Sequence, residues 1–142
     1  MLAEPPAADI GPSVVIVSPS RSVPRATLVE FGRAVAEAAA NDPRRIAFIA
    51  SCDWGHAHRA DGPYGFHPES AAVDAEVIAA VAANDLLRLI DLDEGRAQDA
   101  AIDGLWQALM LAGVLDVTPM RVEPLSYEAP TYYGMLVAVW SP

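Results

Sequence analysis

The sequence contains no lysine. Its nine basic residues are all arginines, scattered against 19 Asp and Glu, and the formal charge is −10 with a pI of about 4.5. Binding to phosphate backbones or anionic lipid needs clustered basic side chains, so neither a nucleic acid nor a membrane surface is expected as a partner. Cys52 is the only cysteine, which excludes an internal disulfide and fits a reducing, cytoplasmic setting. No apolar run approaches the roughly 20 residues of a membrane span. The opening MLAEPPAADIGP lacks the basic start and apolar stretch of a signal peptide. No P-loop, no GxGxxG and no nucleophile–histidine pair at a family spacing is present. Abundant Ala and Arg without Lys goes with a GC-rich bacterial genome. These absences leave one cytoplasmic domain of 142 residues, long enough for a sizeable core.

The pattern of what remains is α/β. Residues 1–12 are rich in Pro and Ala and read as an extended segment, and residues 13–142 as a single domain. Ser13 to Ser18, SVVIVS, is continuously apolar, as a strand buried on both faces would be. A helix is expected from Pro24 to Ala40, with Leu28, Phe31, Val35 and Ala38 inward, ended by Asn41-Asp42-Pro43. Arg45 to Ala50 reads as a second strand, giving a strand–helix–strand unit of right-handed crossover size. Ser70 is a candidate N-cap for a helix to Ala83 with Val73, Val77, Ile78 and Val81 inward, and Asn84 for a short helix, DLLRLID. A longer helix is expected from Asp93 to Leu111, with Gly104 inside it and Gly113 at its C-cap. Thr118 to Tyr127 and Gly134 to Trp140 read as strands joined by EAPTYYG. The fold expected is a mixed, partly parallel sheet flanked by helices.

The chemistry-bearing residues concentrate in Ile46 to Pro68, IAFIASCDWGHAHRADGPYGFHP. A buried strand that opens into a loop with Cys52, Asp53, Trp54, His56 and His58 is how α/β proteins present reactive groups at a sheet's carboxyl edge. His56 and His58 form an HxH, which in a loop is either a pair of metal donors or simply polar surface. With Asp53 they could surround a zinc ion, as in a metal-dependent hydrolase. Asp53 either orients an imidazole or caps the next turn. His67, before Pro68, reads as a solvent-facing or packing residue, and Cys52 as a small hydrophobe rather than a nucleophile. Glu128, in SYEAPTYYG, sits where a strand ends beside Tyr127, Tyr132 and Tyr133. It is either a metal ligand in an aromatic-walled site or a rim carboxylate.

Taken together, SCDWGHAH, DGPYGFHPE, the WQALML helix and LSYEAPTYYGMLVA resemble the catalytic subunit of class III extradiol ring-cleavage dioxygenases, the protocatechuate 4,5-dioxygenase β-subunit type. VVIVSPSRSVPRATLVEFGRAVAEA is similar to that family's mid-chain strand and helix, so the resemblance runs from about residue 12 to the end. It implies half of that catalytic domain and O₂ insertion into a catechol-type aromatic diol, with non-haem Fe(II) as cofactor held by two histidines and a carboxylate. By the resemblance Glu128 is the carboxylate ligand and His56 the general base and acid, suited to both by the ordinary imidazole pKa of about 6.5. Asp53, His58, Tyr127 and Tyr132 would stand behind the ligands or line the substrate pocket. Cys52 and Trp54 depart from the small residues usual at their places. The family's two iron-binding histidines precede the matched stretch, and no histidine lies before residue 56. The resemblance thus implies a partner, either a missing N-terminal half or subunit or a homo-oligomer. The alternative is a catalytically inactive member acting as a binding or interaction protein.

Overall fold

The computed structural model describes residues 11–142, so most of the expected N-terminal segment lies outside the described residues. Its architecture is mixed α/β: four α-helices and one 3-10 helix, followed by a two-stranded antiparallel sheet. The helices are α1 (Arg25–Ala40), α2 (Pro68–Ala82), the 3-10 helix (Leu86–Asp91), α3 (Glu94–Asp99) and α4 (Leu105–Val117). The strands are β1 (Arg121–Glu128) and β2 (Met135–Ser141), close to their expected places.

Helix α4 is the centre of the core. Leu105, Trp106, Ala108, Leu109, Met110, Ala112, Gly113 and Val114 are all buried, so it is apolar nearly all round, as an enclosed helix must be. Helix α1 packs along it through two glycines. A Cβ at Gly32 would overlap the carbonyl oxygen of Met110, and one at Gly113 the carbonyl oxygen of Val29. Gly113 is therefore inside α4, not at the C-cap expected for it, and it permits backbone-to-backbone approach. That seam also decides which face of α1 turns inward. Leu28, Val29, Gly32 and Ala36 are buried, whereas Phe31, expected inside, is 37% exposed. Arg25 ties the start of α1 across the core edge, donating to the carbonyls of Ile90 (3.0 Å) and Leu92 and to Glu94 (2.8 Å).

The expected long helix is broken between Ala100 and Gly104, and its hydrogen bonds show why. In a continuous helix the N–H of Gly104 would donate to the carbonyl of Ala100. Instead Gly104 N–H donates to the carbonyl of Asp53 at 2.6 Å, and Ala100 accepts from His56 N–H at 2.8 Å. Ala101 adopts φ of 49°, a left-handed conformation costly for a residue with a Cβ. The loop after residue 50 is inserted into the helix break. Helix α2 starts at Pro68 with His67, not Ser70, at its N-cap; His67 Nδ1 accepts from Glu69 N–H at 3.3 Å.

Neither apolar stretch expected as a strand forms one: residues 13–18 and 45–50 pair with no strand among the described residues. Val14, Val15 and Ile16 are 75–88% exposed and Ile49 is 85% exposed. A run apolar on both sides needs neighbours on both edges and both faces; here neither stretch has a strand beside it, and of residues 45–50 Phe48 and Ala50 reach the core and the underside of the hairpin. The outer face of the hairpin, with Met135, Val137 and Val139, is also exposed. No helix among the described residues is long and apolar enough to cross a membrane.

Substituting Gly113→Ala should force α1 and α4 apart and cost about 1–3 kcal/mol. Thermal or urea unfolding monitored by circular dichroism checks this, and an unchanged midpoint would contradict the close approach.

Candidate active site

The loop from Trp54 to His58 is held on two sides by backbone hydrogen bonds. Toward the hairpin, Trp54 N–H donates to Gly134 O (2.9 Å), Gly134 N–H to Gly55 O (3.0 Å) and His58 N–H to Tyr132 O (3.1 Å). Toward the helices, His56 N–H reaches Ala100 O and His67 N–H reaches Ala57 O (2.8 Å). Ser70, wholly buried, links them: its Oγ accepts from Ala57 N–H (2.9 Å) and donates to Ala100 O (3.0 Å). The side chain read from sequence as a cap is instead a buried bridge.

His56 is 9% exposed. Its Nδ1 lies 2.7 Å from the carbonyl of Trp54, which can only accept, so this nitrogen carries a proton. In the neutral ring Nε2 then bears the lone pair, and it faces Asp53 Oδ2 at 3.4 Å. A proton taken up at Nε2 would have a carboxylate beside it. Three tyrosines enclose the ring: Tyr133 is stacked on it at 5.5 Å between centroids, Tyr64 meets it edge-on at 5.7 Å, and Tyr132 is tilted at 5.9 Å. Tyr132 and Tyr133 also meet each other at 5.0 Å. The arrangement is an oriented imidazole, able to gain and return a proton, in an aromatic surround.

Behind the loop lies Asp74, 1% exposed, on the inward side of α2. Its Oδ1 accepts from Gly55 N–H at 2.7 Å. Its Oδ2 accepts from Tyr127 O–H at 2.6 Å and lies 2.8 Å from His58 Nε2. Burial, followed by the bond to Asp74, raises the Tyr127 pKa above its ordinary value and keeps the phenol a donor. A Cβ at Gly134 would strike Asp74 Oδ2, so only glycine fits there.

Of the residues singled out in the sequence, His56, Asp53 and Tyr132 come together, and His58 and Tyr127 meet on Asp74. His58 is thereby turned toward α2, and no group of three His, Cys, Asp or Glu side chains among the described residues is placed to hold a metal ion. The zinc arrangement of His56, His58 and Asp53 is not formed. Glu128 closes β1, opposite Met135 in the register, and is exposed. Successive strand residues point to opposite faces, so with Tyr127 turned inward Glu128 projects from the other face. No hydrogen bond or ion pair among the described residues joins it to the cluster around His56.

Two cavities lie elsewhere. One of about 270 Å³ is bounded by the 3-10 helix and the end of α4. One of about 60 Å³ sits under the hairpin between Cys52, Trp54, Leu136 and Trp140. Neither is lined by His56 or Glu128.

Sequence reasoning missed Asp74, Tyr64 and Ser70 as parts of this site. Asp74 left a signal: an acidic residue directly after Val73 and three before Val77, on a stripe otherwise apolar. A carboxylate there must be hydrogen-bonded to be tolerated.

No family model matches the chain. Protein CA_C1420 of Clostridium acetobutylicum is 31% identical to it over 101 residues, which make up 71% of this chain and 22% of that protein. The matched region thus spans about a fifth of that relative's length.

Cys52 Sγ donates to Gly104 O at 3.4 Å, and burial, helped by Asp53 and Asp103, pushes its pKa from 9.0 up to about 12. The thiol is therefore packing, as its sequence position suggested. Because the folded state holds this proton more tightly, the associated stability is fully present below pH 9 and lost as pH rises toward about 12. At pH 8 an aromatic disulfide reagent should label the folded chain slowly and the urea-unfolded chain rapidly; equal rates would contradict the burial.

Proposed function

We propose that this chain carries the acid–base and aromatic-substrate part of an extradiol ring-cleavage dioxygenase acting on a catechol-type diol. The observation that carries the reading is His56: one ring nitrogen is fixed on a carbonyl, the other is left for a proton beside Asp53, and tyrosines surround the ring. In this role Nε2 takes a proton from a substrate hydroxyl and later returns one to the ring-opened semialdehyde. Tyr132 stands beside the diol's ring. Fe(II), in that class of enzyme, activates O₂ and the diol together.

The donors among the described residues do not fit Fe(II) by themselves. Glu128 is a single exposed carboxylate, His56 is engaged on Trp54, and His58 on Asp74. In this proposal the iron ligands come from outside the chain, from a missing half, a further subunit or another copy, and Glu128, on the outer face of the hairpin, joins them only where the end of β1 turns toward His56. The exposed apolar stretches 13–18 and 45–50 support that division, because they have the composition of strands in a larger, partly parallel sheet. A cytoplasmic location belongs to the same proposal. The second reading, an inactive member acting as an interaction protein, is favoured by the same exposed surface and by the lack of a metal-donor cluster among the described residues.

A visible-spectrum titration with 4-nitrocatechol separates the two. Transfer of a proton from the bound diol should shift its absorbance toward that of the ionised form, and His56→Ala should abolish the shift while the fold persists by circular dichroism. A chain that leaves the spectrum unchanged contradicts the catalytic reading and leaves the interaction protein.

A further inference from the structure

We propose that Asp74 is a positioning residue for His56, acting through the backbone and through His58 and Tyr127. This deepens the function proposed above and rests on it for the identity of the substrate. Asp74 itself reaches no reacting atom. What it reaches is both elements of the site. Oδ1 holds the N–H of Gly55, the residue before His56 in the chain. Oδ2 holds Tyr127, the residue before Glu128, and His58, two residues beyond His56. One buried carboxylate thus joins the loop that carries the imidazole to the strand end that carries Glu128.

Two features show that this junction is shaped closely. Gly134, which exchanges hydrogen bonds with the loop through Trp54 and Gly55, leaves no room for a Cβ against Asp74 Oδ2. Tyr132 and Tyr133 immediately precede that glycine and form two walls of the His56 surround. Moving the carboxylate therefore moves the loop backbone and the tyrosine walls together. With three groups converging on it, Asp74 is an acceptor at each contact, with Nε2 of His58 carrying the proton. An amide in its place offers one oxygen and one NH₂ and leaves at least one donor unmatched.

The test uses the imidazole signals of His56 in ¹⁵N correlation spectra of the full chain, assigned by their loss in His56→Ala. Asp74→Asn should shift the His56 nitrogen signals and weaken 4-nitrocatechol binding about tenfold. If Asp74→Asn does not fold, the pair His58→Gln and His58→Leu replaces it. Gln can still donate to Asp74 and should keep the His56 signals near their wild-type positions, whereas Leu should move them. Asp74→Asn, or His58→Leu where that variant stands in, leaving the His56 signals unmoved while lowering only the unfolding midpoint would overturn the proposal and make Asp74 a structural residue alone. A wild-type chain that binds no catechol removes the proposed substrate, and the His56 signals still decide the positioning role.

Discussion

A single buried carboxylate is the constraint around which the site is assembled. Placing Asp74 at 1% exposure removes its water, and isolated burial of such a charge would be prohibitive. The chain answers with a backbone N–H, a phenol and an imidazole, drawn from the loop after residue 50 and from β1. Each of those donors is thereby held where it is. The carboxylate requires the contacts, and the contacts fix the loop beside the hairpin.

The same exchange of partners explains the helix break. The loop backbone takes the carbonyl of Ala100 and supplies the carbonyl of Asp53 to Gly104, so α3 and α4 cannot join. Ser70 reinforces this from α2. His56 therefore rests on groups from three helices and the hairpin, which is how a histidine on an irregular loop attains one orientation without lying in a regular element.

Much of this was legible in the sequence where local pattern and tertiary packing agree. The helix after Pro24, the helix after Pro68 and the two C-terminal strands have periodicity and breakers that point one way, and they occur. The misreadings have particular causes. Phe31 looked inward because helical spacing treats Gly32 as an empty position, when the glycine seam against Gly113 is what sets the rotation of α1. Residues 93–111 looked continuous because periodicity does not see a distant loop competing for Ala100. Residues 13–18 and 45–50 have strand composition, but a strand is made by its neighbours, and none of the described residues supplies them. At the site, the cluster of His56, Asp53 and Tyr132 followed the motifs, whereas Asp74 lay outside them, on α2, and betrayed itself only as a charge on an apolar stripe.

Amide hydrogen exchange at Gly55 tests most directly whether the buried carboxylate organises this region. The N–H of Gly55 points at Asp74 Oδ1 in the interior, although it belongs to a loop. It should be protected to the degree of amides in the core helix α4, opening only with the whole fold. Exchange at Gly55 as fast as in the exposed turn around Asp61 would mean that the loop opens on its own and that Asp74 does not hold it.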